Sequence, residues 1–228
     1  MKREIITTGD GSKTIHMPDL NEQYHSKHGA LQEALHVFIK TGLEHFIEVS
    51  LSRKRNYHDQ PLQILEYGFG TGLNAMLTAQ HHSKTNINYT ATEAFPITSE
   101  EIEFMNYGKL LNDQQLYHKL HQTSWEQKHQ ITETFTLHKQ HITFEEIEME
   151  DQFDLIYFDA FGPRTQPELW TQPIFDAAFT ALKDNGVLTT YCAAGQVRRN
   201  MQTAGFMVER LPGPPGKREM LRATKIKH

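Results

Sequence analysis

Three short stretches of this chain hold residues whose types and spacing suit shared chemistry. The first, Glu66-Tyr67-Gly68-Phe69-Gly70-Thr71-Gly72-Leu73-Asn74, combines an acid, three alternating glycines and an amide. Glycines accept positive φ and let a ligand approach the main chain closely, so such a turn suits a nucleotide-like ligand. It is neither the dinucleotide fingerprint G-x-G-x-x-G nor a phosphate loop, since no Gly-Lys-Ser/Thr follows. A tight turn in any α/β protein is the open alternative. The second is Glu93, which closes the run Ile87-Asn88-Tyr89-Thr90-Ala91-Thr92 about twenty residues further on. A carboxylate there can accept hydrogen bonds from both hydroxyls of a ribose diol. The third is Asp159, directly after Phe153-Asp154-Leu155-Ile156-Tyr157-Phe158. Reacting groups gather at the carboxyl ends of parallel strands, and a carboxylate there can orient a donor and take its proton. Equally, an aspartate before a turn can cap the next N–H groups.

The elements that must position these residues follow from periodicity. Leu62, Ile64 and Leu65, bounded by Pro61 and glycine, predict a short buried strand, and Leu73, Met76, Leu77 and Ala79 a helix after the turn. Ile87–Thr92 and Phe153–Phe158 predict strands, the latter apolar enough to be covered on both faces. Thr7 to Ile15 around Gly9-Asp10-Gly11 predicts a hairpin. Ala30, Leu31, Ala34, Leu35, Phe38, Ile39 and Leu43 predict an amphipathic helix, preceded by Tyr24, His25, Ser26 and His28. A helix N-terminus suits a carboxylate, and simple capping by Ser26 explains the serine equally well. Residues 52–60 read as a polar linker, and 108–133 as irregular and histidine-bearing, with weak helical periodicity in Leu110, Leu111, Leu116, Leu120 and Trp125. Phe135–Leu137 predicts a third strand. A helix is predicted near Ser99, with Ile102 and Met105 inward, and another after Trp170, ending at Asn185-Gly186. Val187–Cys192 predicts a fifth strand, Val197–Ala204 a helix closed by Gly205, and Phe206–Val208 with Leu221–Thr224 a final antiparallel pair around a stiff Pro/Gly loop. The expected fold is α/β, a Rossmann-like mostly parallel sheet with an antiparallel last strand. Residues 61–228 form its core, and residues 1–60 a hairpin-plus-helix extension.

Composition narrows the class. The 228 residues suffice for one domain with a real core, and 38% hydrophobic content is above that of a disordered chain. One cysteine, Cys192, excludes an internal disulfide and points to a reducing compartment. With no signal-peptide pattern and no apolar run long enough to span a bilayer, the expectation is a cytoplasmic protein without a membrane partner. Net charge is −5, yet residues 197–228 hold eight Lys/Arg against two acids, a local +6 that leaves −11 on the remainder. That asymmetry can steer a polyanion to one face, or can be an ordinary solvated face. No metal site is expected.

The acid two places before the first glycine resembles the first motif of S-adenosylmethionine-dependent methyltransferases. Further stretches make the resemblance specific: Tyr24-His25-Ser26 to Gly29-Ala30-Leu31-Gln32-Glu33, Glu93-Ala94-Phe95-Pro96, Asp159-Ala160-Phe161-Gly162-Pro163, Gln166-Pro167-Glu168-Leu169-Trp170, Val197-Arg198-Arg199 and Gly216-Lys217-Arg218-Glu219-Met220-Leu221. Together with the glycine turn, they are similar to the methyltransferase domain of the MnmC type, the enzymes that make 5-methylaminomethyl-2-thiouridine in tRNA. The resemblance implies S-adenosylmethionine as cofactor, cradled by Glu66, Gly68, Gly70, Gly72 and Asn74, with Tyr24 and Ser26 over its methionine end and Glu93 on its ribose. It implies that Asp159 faces the reacting methyl group. Where the family tends to place Gly-Asp against the adenine amino group, this chain has Gln140-His141, which puts His141 at the adenine. The implied substrate is the amine of 5-aminomethyl-2-thiouridine at the wobble position of a tRNA anticodon stem-loop. Arg198, Arg199, Lys217 and Arg218 are candidate phosphate contacts. Phe161 or Trp170 is a candidate base-stacking ring, with a core role as the alternative for each. The oxidoreductase half of the bifunctional enzymes finds no counterpart in these residues, so no flavin is expected. Two other readings stay open: a small-molecule amine methyl- or aminopropyl-transferase, and a non-catalytic tRNA-binding module.

Overall fold

The computed structural model describes residues 2–52, 60–81 and 85–226. The chain opens with β1 (Glu4–Thr7), β2 (Lys13–Met17) and β3 (Glu22–Gln23), a small antiparallel sheet in that order. Helix α1 (Ala30–Ala34) then runs into a π-helical stretch, Leu35–Glu44, and on into α2 (His45–Ser52). Of the apolar stripe that predicted this helix, Ala30, Ala34, Phe38, Ile39 and Leu43 lie in the core, Leu31 and Leu35 are partly buried against it, and Val37 and Phe46 join them. The start of the helix is not capped by Ser26. The N–H of Ala30 donates to Ser12 Oγ (3.2 Å) and that of Gln32 to Asp10 Oδ2 (3.0 Å), so the hairpin turn satisfies it. Ser26 Oγ instead accepts from the N–H of His28. Most of the polar linker, residues 53–59, lies outside the described residues.

The main sheet follows. Its elements are β4 (Leu62–Tyr67), α3 (Leu73–His81), β5 (Ile87–Thr92), α4 (Ser99–Phe104), α5 (Tyr107–Leu110), α6 (Gln114–Gln122), β6 (Lys128–Gln130), β7 (Phe135–Gln140), β8 (Phe153–Phe158), α7 (Gln172–Ala181), β9 (Leu182–Thr190), α8 (Gly195–Thr203), β10 (Phe206–Pro212) and β11 (Glu219–Lys225). Strand order is β10-β11-β9-β8-β4-β5-β7-β6. The five central strands β9-β8-β4-β5-β7 are parallel, and β11 enters antiparallel between β9 and β10. Order reverses between β4 and β8, which opens a crevice at their carboxyl ends. Period-two alternation sends Leu62 and Ile64 of β4 to one core layer and Leu65 and Tyr67 to the other. All six residues of β8 are buried, as its near-continuous apolar run predicts.

Two sequence expectations are corrected. Residues 108–133 hold two regular elements, since α6 carries a true N-cap, with Asp113 Oδ1 accepting from Leu116 N–H at 2.9 Å, and β6 adds an antiparallel edge to β7. The helix after Trp170 ends at Ala181, not at Asn185-Gly186. Leu182 is fully buried and pairs with Phe153, so β9 begins there and bulges through residues 183–186 before Val187 pairs with Leu155.

Candidate active site

At the carboxyl ends of β4, β5 and β8 lies a cavity of about 870 Å³. The glycine turn, Glu93, the segment after β7, the Asp159–Phe161 turn and the small N-terminal sheet all contribute to its wall. Local folding brings the turn and Asp159 together. Gly68 sits at φ +91°, and a Cβ there would lie 2.9 Å from the Asp159 carbonyl oxygen, so only glycine permits this approach of β4 to β8. The Asp159 N–H closes the junction on the Tyr67 carbonyl at 3.1 Å.

Glu93 both lines the cavity and builds it. Its Oε2 accepts from the Gly70 N–H (2.9 Å) and its Oε1 from the Phe95 N–H (2.8 Å), so the carboxylate ties the glycine turn to the loop after β5. Asn74, buried at the start of α3, donates through Nδ2 to Asp159 Oδ2 (2.8 Å) and to Glu66 Oε1 (2.9 Å). Burial, with a smaller contribution from Glu33, raises the Asp159 carboxyl to about 7 against the opposing Asn74 hydrogen bond and Lys217. Glu66 is raised well above the carboxylate range, chiefly by burial. Its Oε2 and the Asn74 Oδ1 are buried without a hydrogen-bond partner.

The residues singled out from sequence separate into groups. Tyr24, Gly68, Gly70, Asn74, Glu93, Asp159 and Phe161 line the cavity, with Tyr24 and Phe161 in edge-to-face contact at 4.9 Å. Glu66 does not line it: the side chain is fully buried behind Asn74 and reaches the cavity only through that amide. Ser26 is also outside the lining, held in the turn before α1, where its N–H meets Glu33. Gly72 packs behind the turn, where a Cβ would lie 2.9 Å from His121 Nε2. His141 is exposed and tied by its ring to the Ala94 carbonyl, next to the cavity but not in its wall.

Among the candidate RNA contacts, Trp170 is buried at 3% exposure, with its indole N–H on the Phe161 carbonyl at 2.7 Å. It is a core ring, not a stacking platform. Lys217 is half-buried and ion-paired with buried Glu33 at 2.6 Å. Arg210, Arg222 and Lys225 pair with Glu219, Glu209 and Asp151. Arg199 and Arg218 are exposed and Arg198 half-buried, while Lys227 lies outside the described residues.

Sequence reasoning missed Arg3. Its guanidinium donates to Glu101 Oε2 (3.0 Å) and the Phe95 carbonyl (3.1 Å), so the N-terminal sheet is strapped to the loop that follows Glu93. Gln23 and His25 also line the cavity, and burial lowers His25 to about 4, keeping its ring neutral. No local pattern marks Arg3 or Gln23, because their roles arise only when the hairpin folds over the sheet, whereas His25 stands in the Tyr24-His25-Ser26 stretch singled out from the sequence. Among the described residues there is no group of three or more His, Cys, Asp or Glu able to hold a metal, and no helix long and apolar enough to cross a membrane.

A doubly wound sheet with an inserted antiparallel last strand, a glycine turn after its first parallel strand and an acid after its second defines a class I methyltransferase. A family model described as S-adenosyl-L-methionine-dependent methyltransferase matches residues 108–226, just over half of the chain. The chain belongs to that family. It is 29% identical over 228 residues to the tRNA 5-methylaminomethyl-2-thiouridine biosynthesis bifunctional protein MnmC of Leptospira interrogans, covering 87% of this chain and 32% of the relative. The MnmC of Cupriavidus metallidurans is 28% identical over 242 residues, covering 95% and 33%. The chain thus spans about a third of the length of these curated relatives. The crystal structure of MnmC2 from Aquifex aeolicus superposes with a TM-score of 0.74 at 25% identity, covering 99% of this chain and 72% of that one. Spermidine synthase from Thermotoga maritima shares the fold at TM-score 0.54 and 15% identity.

Proposed function

We propose that this chain methylates the primary amine of 5-aminomethyl-2-thiouridine at the wobble position of tRNA, giving 5-methylaminomethyl-2-thiouridine. The observation that carries this reading is the placement of Asp159 and Glu93 on one cavity, joined through Asn74 and the glycine turn. The similarity to MnmC and MnmC2 supports the tRNA substrate. In this reading residues 1–60 are an extension over a core of residues 61–228, and the protein works in the cytoplasm, where tRNA is modified.

The residues present fit S-adenosylmethionine. The cavity volume lies toward the upper end of ligand pockets, about 300–1,000 Å³, leaving space for an acceptor beside the cofactor. Glu93 keeps acceptor capacity for a ribose diol beyond its two backbone bonds. The orphaned Asn74 Oδ1 belongs to a residue of the cavity wall bonded to Asp159, and it is an acceptor for an ammonium group. Bound there, S-adenosylmethionine supplies an activated, electrophilic methyl group.

The chain's own residues then prepare the amine. An alkylammonium has no free lone pair, so it must lose a proton before its nitrogen can attack. Asp159 Oδ1 accepts the ammonium N–H and takes that proton, while Asn74 fixes Oδ2 and hence the orientation of the carboxylate. A carboxyl held at about 7 is well matched to this transfer near neutral pH. The wall made by the N-terminal sheet, Tyr24 and Phe161 limits water and holds the acceptor in line, which supplies most of the acceleration. Mass spectrometry of tRNA nucleosides after incubation with protein and S-adenosylmethionine tests the reading. One added methyl on 5-aminomethyl-2-thiouridine is expected, and methylation of free polyamines with untouched tRNA would replace it with the small-molecule alternative.

A further inference from the structure

Beyond Asp159 itself, one charged cluster packed against the cavity-lining Tyr191 has no assigned catalytic role. Glu33, at 5% exposure in α1, would be an expensive buried charge if unpaired. Its Oε1 accepts from the Ser26 N–H (3.3 Å), and its Oε2 meets Lys217 Nζ at 2.6 Å. That ammonium also sits 3.6 Å above the ring of Tyr191, whose hydroxyl donates to the Ala160 carbonyl (2.8 Å), one residue from Asp159. The partners are 184 residues apart in sequence.

The loop between β10 and β11 is built to deliver this lysine. The Gly213 N–H bonds the Arg218 carbonyl and the Lys217 N–H the Pro214 carbonyl, closing the Pro/Gly segment into a tight turn. Gly216, at φ +85°, lies so close to His28 that a Cβ would fall 2.1 Å from the imidazole. A side chain at 216 would be strained at that φ and would push the exposed His28 ring aside. So narrowly defined a backbone path does not suit a lysine that merely collects phosphates.

We propose that Glu33 and Lys217 are positioning residues that set the charge environment in which Asp159 takes the acceptor's proton. The inference rests on the reading of Asp159 given above. Glu33 disfavours the ionised aspartate and Lys217 favours it, so their balance fixes how readily the proton moves. Other groups around Asp159 are acidic Glu66 on β4, neutral Asn74 on α3, Tyr89 on β5, Tyr107 on α5 and Tyr191 after β9, with acidic Glu93 after β5 and neutral His25 after β3 on the same cavity. Among these, Lys217 is the cation acting on Asp159, so its removal has no near substitute.

The test titrates Asp159 by carboxyl-directed NMR, with Asp159→Asn to assign the signal, and follows single-turnover methylation of tRNA bearing 5-aminomethyl-2-thiouridine against pH. Lys217→Met should move the Asp159 titration to higher pH by at least about half a unit, and Glu33→Gln should move it to lower pH by a similar amount. The double variant should return close to the wild type, and Lys217→Arg should leave the titration in place. The acid limb of the methylation profile should move with it. If Glu33→Gln does not fold, the contrast between Lys217→Met and Lys217→Arg decides alone. Unmoved titrations, or shifts of the same sign in both single variants, would overturn the proposal. Because the NMR arm needs no acceptor, it stands or falls separately from the tRNA reading. A wild type that titrates as described yet leaves tRNA unmethylated refutes only the latter.

Discussion

The Gly70 N–H donates to Glu93 Oε2 at 2.9 Å, so the acid after the second parallel strand holds the glycine turn after the first. The expected ribose acceptor is therefore also a structural tie. Glu93→Ala should weaken S-adenosylmethionine binding by more than about tenfold, because it removes an acceptor and frees the turn together. Glu93→Gln keeps one acceptor oxygen and should weaken it less. Gly70→Val, which puts a branched side chain against the Tyr24 ring at a φ of +50°, should weaken it at least as much as Glu93→Ala. Calorimetry on the three variants checks the ranking, and equal, wild-type affinities would remove Glu93 and the turn from the cofactor site.

Ion pairing narrows the set of candidate RNA contacts. Arg198, Arg199 and Arg218 have no carboxylate partner among the described residues, while Arg210, Lys217, Arg222 and Lys225 do. Neutralising Arg199 and Arg218 should lower tRNA affinity and reduce the salt slope by about 0.7–0.9 for each phosphate that the pair had neutralised. Cofactor affinity should be unchanged. Filter binding across a salt series is sufficient, and an unaltered slope would move the footprint off this end of the chain.

The separation of legible from illegible features has a physical basis. The run Phe153–Phe158 announced its strand because burial on both faces leaves little room for polar residues, and Ile87–Thr92 did so by alternating Ile87, Tyr89 and Ala91 with half-buried or polar neighbours. The α6 segment hid because Leu116, Tyr117 and Leu120 are its buried residues amid glutamine and histidine, so its stripe is thin. Glu93 and Asp159 were legible since a strand's end is a local property. That Trp170 spends its N–H on the Phe161 carbonyl, that Glu66 stands behind Asn74, and that Lys217 answers Glu33 are long-range facts of packing. Composition at any one of those positions reads the same whether the side chain faces a partner or water.

Acid should loosen the N-terminal wall of the cavity. His25 is 7% exposed and is lowered to about 4, against an ordinary value near 6.5, chiefly by burial. Between those values the unfolded chain binds the proton that the folded chain refuses. Stability from this group is thus complete above about pH 6.5 and is lost as pH falls toward 4, by about 2–3 kcal/mol. His25→Gln should flatten that part of the stability curve. Chemical denaturation at pH 7, 5.5 and 4.5 measures it, and identical curves for both proteins would show that His25 does not titrate with unfolding.

Asp159 makes the opposite contribution, and the sign separates a reactive carboxylate from a capping one. Its folded value of about 7 lies above the unfolded value near 3.9, so the folded state holds the proton more tightly. Stability from Asp159 is complete below about pH 4 and lost as pH rises through 7. Asp159→Asn removes the ionisation and keeps the size, so the variant should be more stable than the wild type above pH 7, with the gap closing toward pH 4. Methylation should fall by about 10²-fold or more, the range for a positioned acid or base. Raising pH should partly restore it, since more of the amine then arrives neutral. Cofactor affinity should change little, because Glu93 still holds the turn. An aspartate present only to cap the turn after β8 forecasts the reverse: lower stability at every pH above its titration, near-normal turnover per folded molecule, and no recovery at high pH. Melting curves and single-turnover rates from pH 5 to 9 on this one variant choose between the two, and a destabilised but fully active Asp159→Asn protein would remove Asp159 from the chemistry.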